Sequence, residues 1–103
     1  MAPPDSSDSR LIQAILDPLL DDFLYWFGRS RLLLETHHLS NLTASEQARL
    51  LQRIHEAEAE VRSVKALLAV TGVGIAPSTL APWHQLVTEC WRIGHQWRVS
   101  QSP

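Results

Sequence analysis

The segment from Thr43 to Gly72 constrains the fold most, because it carries both a helix start and a helix end. In Thr43-Ala44-Ser45-Glu46, the Thr43 hydroxyl and the Glu46 carboxylate can each satisfy a backbone amide, as in a capping box. Gly72 can adopt the left-handed conformation that closes a helix. Between these ends, apolar residues alternate four and three apart: Leu50, Ile54, Ala57, Val61, Val64 and Leu68. This spacing predicts one helix, roughly 40 Å long at ~1.5 Å per residue, with a single bundle-forming seam.

An aromatic-rich helix is predicted before it, beginning after Asp8 or Ser9, either of which can cap it. Its inward face is predicted to carry Leu16, Leu20, Phe23, Phe27, Ser30 and Leu34. Pro18 has no amide proton, and its ring would clash with the carbonyl of Ala14 one turn earlier. We therefore expect this helix to kink or restart at Pro18.

A third helix is predicted from near Pro82 to about Val99, because apolar residues with the same spacing follow the apolar loop from Gly72 to Pro82. They are Trp83, Val87, Cys90, Gly94 and Trp97. Three amphipathic helices with short connections favour an all-α, up-down-up three-helix bundle. The third helix is the shortest, so part of the long helix pair is expected to stay uncovered.

The length and composition predict a single helical-bundle domain over residues 9–99. A chain of 103 residues with 45% hydrophobic and 19% charged residues can bury one core. Residues 1–8 and 100–103 are expected to be disordered. The net charge of −2 and the pI of 6.2 argue against a nucleic-acid partner.

The longest uncharged stretch, Ala66 to Thr88, is not expected to form a transmembrane segment. It contains four helix breakers, Gly72, Gly74, Pro77 and Pro82. The first residues have no basic start and apolar run of the kind that a secretory signal needs, and a lone Cys90 favours a reducing compartment. The expected location is the cytoplasm, with attachment to the periphery of a membrane complex left open.

No pattern predicts catalysis, a cofactor or a metal site, so the protein is not expected to be an enzyme. Glu35-Thr36-His37-His38 contains one Glu-x-x-His, whereas a di-iron bundle needs two of them and further carboxylates. His55 and Glu58 lie off the seam and are interpreted as a surface hydrogen-bonded pair. Cys90 lies on the core stripe and is expected to be a buried, inert thiol.

Two surfaces are candidates for a partner interface. On the aromatic helix, Tyr25, Gly28 and Leu32 are predicted to point outward, with Asp21, Asp22 and Arg29 around them and Trp26 at the flank. Gly28 costs ~1 kcal/mol against alanine in a helix interior, which a close approach by another backbone would justify. The alternative is that single exposed apolar residues are ordinary and that Gly28 marks a bend.

The second surface is a strip on the third helix with a spacing of four, three and four: His84, Thr88, Trp91 and His95. Histidines beside Trp91 would make a contact there sensitive to pH. The alternative is that Trp91 folds over the gap between helices. Trp83 is also predicted to contact a partner.

The elements DPLLDDFLYWFGRSRLLLE (Asp17 to Glu35) and LAPWHQLVTECW (Leu80 to Trp91) resemble a small cyanobacterial family known as domain of unknown function 2605. The resemblance covers most of the chain. It implies a short, soluble, helical protein of a photosynthetic prokaryote, and it supplies no activity or catalytic residues. A link to photosynthetic complexes or their assembly would follow from lineage alone.

These observations favour a non-enzymatic interaction module, assembly factor or adaptor that binds a larger protein. The structural alternative is a symmetric homodimer that buries the uncovered part of the long helix pair. A third hypothesis is pigment or metal binding through His84, His95 or Cys90, which predicts visible absorbance or bound metal in the purified protein.

Overall fold

The computed structural model describes residues 6–72 and 74–101, with side chains from residue 10 onward, and these residues form three helices. Helix α1 is Ser6–Thr36, α2 is Ala44–Thr71 and α3 is Pro77–Gln101. No strand occurs within these two ranges. The all-α prediction is confirmed. Of the ends that were expected to be disordered, residues 6–8 lie in α1 and residues 100–101 in α3, and residues 1–5 and 102–103 lie outside the described residues.

Helix α2 begins and ends as its sequence predicts. The Thr43 hydroxyl accepts a hydrogen bond from the Glu46 amide, and the Glu46 carboxylate accepts one from the Thr43 amide. The hydrogen bond from the Thr43 backbone lowers the pKa of Glu46. Gly72 has a φ of 65°, and its amide donates to the Leu68 carbonyl. Local chemistry at both ends therefore sets the helix length.

The predicted seams form one core. Its buried residues from the three helices include Leu20, Phe23, Phe27, Leu34, Leu50, Ile54, Val61, Leu68, Trp83, Val87 and Cys90. Val64 is half-buried at its margin. Spacing in the sequence therefore identified the inward faces of all three helices.

Helix α1 is continuous through Pro18 and begins at Ser6, two residues before the earliest predicted cap. Pro18 removes one backbone hydrogen bond. Residues buried immediately after it, Leu20 and Phe23, keep the following turns packed on the core. The α1 seam thus runs in one helix rather than in two.

Helix α3 begins at Pro77, earlier than the predicted start near Pro82, and remains the shortest of the three. Pro77 is its first residue, a position where the missing amide proton costs no helical hydrogen bond. Pro82, the predicted start, lies inside the helix. The uncharged loop is correspondingly shorter than predicted.

Contacts between side chains show in which direction each helix runs relative to its neighbour. From one end of α1 to the other, Asp21 pairs with Lys65 at 2.7 Å, Arg31 with Glu58 at 2.8 Å and Glu35 with His55 at 3.6 Å. The partner numbers fall as the α1 numbers rise, which is the order of an antiparallel pair. Between α1 and α3 the numbers rise together, since Phe23 contacts Trp83 and Trp26 contacts Trp91. Helix α1 packs more extensively on α2 than on α3.

Gln47, which is buried in the first turn of α2, stabilises the connection between α1 and α2 by hydrogen bonds. Its side-chain oxygen accepts from the Leu39 amide at 2.9 Å. Its side-chain nitrogen donates to the carbonyls of Leu34 and His37, at 2.9 and 2.7 Å. One side chain therefore satisfies three backbone groups, one near the end of α1 and two in the connection that follows it. Leu39 is itself fully buried.

Within the described part of the chain, no helix is long and apolar enough to cross a membrane.

Candidate functional site

Four side chains from α1 and α3 form an aromatic cluster at the surface: Tyr25, Trp26, Arg29 and Trp91. The Trp26 ring meets Tyr25 edge-on at 5.1 Å and Trp91 edge-on at 5.4 Å between centroids. The Arg29 guanidinium lies 5.9 Å from the centre of the Trp26 ring, and its Nη1 donates to the Tyr25 hydroxyl at 3.1 Å. These contacts hold all four side chains in one arrangement.

Helical spacing explains how α1 builds its part of the cluster. Tyr25 and Arg29 are four residues apart, so they are neighbours on one face. Both are exposed, and Leu32 on the same outer face is 59% exposed, compared with 56% for Tyr25. The predicted outward direction of Tyr25 and Leu32 is therefore correct.

Gly28 lies between these residues and is half-buried. A methyl group added there would meet only the Arg31 side chain, with its nearest atom 3.9 Å away. Nothing within the described protein therefore requires glycine at this position.

Trp91 is packed on one side and open to solvent on the other. It crosses the gap between α1 and α3 to pack on Trp26, and it is still 45% exposed. The other members of its strip, His84, Thr88 and His95, are exposed. The Thr88 hydroxyl donates to the His84 carbonyl within α3.

Two predicted interface residues have partners within the chain: Trp83, which is buried, and Asp21, which is exposed. Trp83 is only 3% exposed, packs edge-on against Phe23 and donates from Nε1 to a Glu60 carboxylate oxygen at 3.1 Å. The prediction that Trp83 contacts a partner is wrong, because its position on the seam places it in the core. Asp21 is paired with Lys65, and this hydrogen bond raises the pKa of Lys65. Asp22 is exposed.

A groove lies beside the aromatic cluster, between the second half of α1 and α3, with a volume of about 270 Å³. We call it the α1–α3 groove. Its lining includes Trp26, Leu33, Trp91 and Trp97, with Leu39 and Leu50 deeper, and two arginines, Arg29 and Arg98. The His37 ring lies 5.0 Å from the Trp97 ring.

Sequence patterns do not single out Trp97 or Arg98 as site residues. Trp97 had been assigned to the core seam, where it is half-buried, and Arg98 follows it without any distinguishing pattern. The groove forms where α1 and α3 meet, so spacing within one helix could not reveal it. The available signal was the placement of tryptophans on both helices.

The interpretation of His55 and Glu58 as a surface pair is wrong. Glu58 is only 2% exposed. Its carboxylate accepts from Arg31 at 2.8 Å and from Arg62 at 3.3 Å, and the hydrogen bond to Glu58 raises the pKa of Arg31. His55 instead faces Glu35. A buried carboxylate with two guanidinium partners is a structural ion pair between α1 and α2.

In the part of the chain that the structure describes, no three histidine, cysteine, aspartate or glutamate side chains form a group that could hold a metal ion. His84 and His95 are exposed, whereas Cys90 is buried. The structure therefore does not bring the residues of the pigment or metal hypothesis together.

Cys90 lies on the wall of the α1–α3 groove and is buried. Desolvation raises the pKa of its thiol, a nearby Ser30 hydrogen bond opposes this, and Glu89 raises it further. At neutral pH the reactive thiolate is accordingly scarce.

We expect Cys90 to react with a disulfide reagent at pH 8 more slowly in the folded protein than in denaturant. Burial shields the sulfur from the reagent and, by raising the pKa of the thiol, lowers the fraction present as thiolate. The rate should keep rising as the pH increases beyond the usual range for cysteine. Equal rates in the folded and denatured protein would contradict this assignment.

The described residues define a class of protein, a small all-α bundle with a preformed aromatic cluster on its surface. The family model described as Protein of unknown function (DUF2605) matches residues 6–99, so the chain belongs to this family. Neither the curated proteins nor the solved structures give a significant match.

Proposed function

We propose that the protein is a non-enzymatic interaction module that binds a partner protein through the aromatic cluster and the adjoining Leu32. The observation that carries the proposal is that Tyr25, Leu32 and Trp91 are each about half exposed on adjoining surfaces of α1 and α3. Tyrosine, tryptophan and arginine are the residues that most often dominate the energy of protein interfaces.

The internal contacts of the cluster support this role. Ordering a flexible side chain on binding costs about 0.5–1.5 kcal/mol. Arg29 is already held by Tyr25 and Trp26, and Trp91 is held by Trp26. The cluster can therefore bury its exposed area against a partner with little further loss of side-chain freedom.

Gly28 adds a second argument. Glycine in a helix interior costs ~1 kcal/mol against alanine, and a methyl group would fit at this position. A partner backbone that passes close to α1 between Tyr25 and Leu32 would account for the glycine.

The test is affinity purification from native cells, followed by reconstitution of the captured protein with the purified chain. The double substitution Tyr25→Ala and Leu32→Ala should weaken binding by about 100-fold or more, since hot-spot truncations cost about 2 kcal/mol each. The double substitution Leu67→Ala and Val70→Ala is the matched control, because both residues are exposed on α2. Equal loss in both variants, or full binding by the first, would refute the choice of surface.

Self-association is a second candidate function, favoured by a different observation. Four large apolar residues near the beginning of α1 are exposed: Leu11, Ile12, Ile15 and Leu19. A second copy could bury them in a symmetric dimer. Sedimentation velocity at several concentrations separates the two candidates, because a monomer at every concentration would exclude the dimer, whereas loss of dimer in Ile15→Asp would support it.

A further inference from the structure

The α1–α3 groove has the composition of a small-molecule site. Such sites are mostly apolar and aromatic, with a few polar groups that fix orientation. Three of the four tryptophans of the chain, Trp26, Trp91 and Trp97, line the groove, and Leu33 and Ile93 add aliphatic surface. A ligand with an apolar body could pack against these indole rings.

The charged residues of the groove all have the same sign. Arg29 and Arg98 line it, and no carboxylate occurs among its described lining residues. A methyl group placed on Gly94 would lie 3.3 Å from Nη1 of Arg98, so the guanidinium lies directly over the bare backbone of Gly94. Because Gly94 is itself buried on the groove wall, this places the positive charge beside the apolar space. A guanidinium in such a setting favours a carboxylate.

The size of the groove limits the ligand. Seven residues separate Trp26 from Leu33, which corresponds to about 10 Å along α1. The volume of about 270 Å³ is close to the lower end of ligand pockets, about 300 Å³. A short acyl chain fits these dimensions.

We propose that the α1–α3 groove binds a small amphiphilic carboxylate, with its apolar body against the tryptophans and its carboxylate between Arg29 and Arg98. This site goes beyond the partner surface proposed above, although the two share Trp26, Arg29 and Trp91. A carboxylate bound in the groove would compete with the Tyr25 hydroxyl for the Arg29 guanidinium. Ligand binding would therefore change the geometry of the aromatic cluster.

The test uses sodium octanoate as the probe and octanamide as its neutral counterpart, with calorimetry as the measure of affinity. Octanoate should bind at one site per chain and at least about tenfold more tightly than octanamide, because hydrogen bonds to a charged group exceed neutral ones. In two-dimensional NMR, the indole NH signals of Trp26, Trp91 and Trp97 should shift, and that of buried Trp83 should not.

Substitutions of three arginines test which guanidinium groups bind the carboxylate. Arg29→Gln and Arg98→Gln should each weaken octanoate binding about tenfold and leave octanamide binding unchanged. Arg62→Gln is the matched control, because it removes a guanidinium from α2, and Arg62 does not line the groove. Circular dichroism confirms that each variant remains helical.

Several outcomes would overturn the proposal. They are equal affinity for octanoate and octanamide, equal weakening by Arg62→Gln, a shift of the Trp83 signal alone, or no binding of either probe. Ser30→Leu provides an independent check, because Ser30 is half-buried on the groove wall and a larger side chain should exclude both probes. Because the Tyr25→Ala and Leu32→Ala variant keeps both arginines, it should retain octanoate binding even if it loses a protein partner.

Discussion

Replacing Gln47 with leucine is expected to lower the free energy of unfolding by about 3 kcal/mol or more. The substitution keeps the side-chain volume similar but removes the partners of the Leu39 amide and of the Leu34 and His37 carbonyls. Each buried polar group left without a partner costs about 1–3 kcal/mol. Urea unfolding followed by circular dichroism measures the loss, and faster hydrogen exchange of the Leu39 amide would locate it.

Gln52→Leu is the matched control on the same helix. Gln52 is exposed, and its side chain donates to Glu56 on the same helix. Its substitution should change stability by no more than about 0.5 kcal/mol. If the two variants had the same stability, the Gln47 side chain could not be what fastens the connection between α1 and α2.

Replacing Phe27 with alanine should destabilise the protein by about 3–5 kcal/mol. Phe27 is completely buried, and its ring lies 6.2 Å from that of Phe23. The substitution leaves a cavity at the centre of the core, where neighbouring helices can relax only in part. Thermal and urea unfolding should both show the loss.

Tyr25→Ala is the natural comparison, because Tyr25 lies two residues away on the outer face of the same helix. It should change stability by about 0.5 kcal/mol or less, although it removes a member of the aromatic cluster. A stability loss as large as that of Phe27→Ala would mean that Tyr25 serves the fold rather than binding. Retained stability together with lost binding would show that the inner face of α1 stabilises the fold and that its outer face binds the partner.

Helix α2 shows how much local sequence can determine. Thr43 and Glu46 are close enough in sequence to cap the helix without help from the rest of the protein, and Gly72 closes it. The seam between them is buried because apolar spacing encodes which face turns inward. The same argument placed Phe23 and Phe27 inside and Tyr25 and Leu32 outside.

The errors arise where a residue depends on another helix. Glu58 lies off the α2 seam, and only the approach of Arg31 from α1 makes its burial tolerable. Trp97 and Arg98 form the groove with residues from α1, and no pattern within α3 gives their distance from Trp26. Pro82 was read as a helix start, although α3 accommodates it internally.

The ion pairs between α1 and α2 also determine which alignment of the two helices is allowed. Lys65 follows Glu58 by seven residues, so both lie on the same face of α2. Sliding α2 by seven residues in one direction would place Lys65 where Glu58 now meets Arg31, and two cations would face each other. Sliding it in the other direction would place Glu58 beside Asp17 and Asp21, where Lys65 now lies. Like charges oppose both displacements. The arrangement of charge therefore disfavours pairing of the repetitive apolar seam in a shifted register.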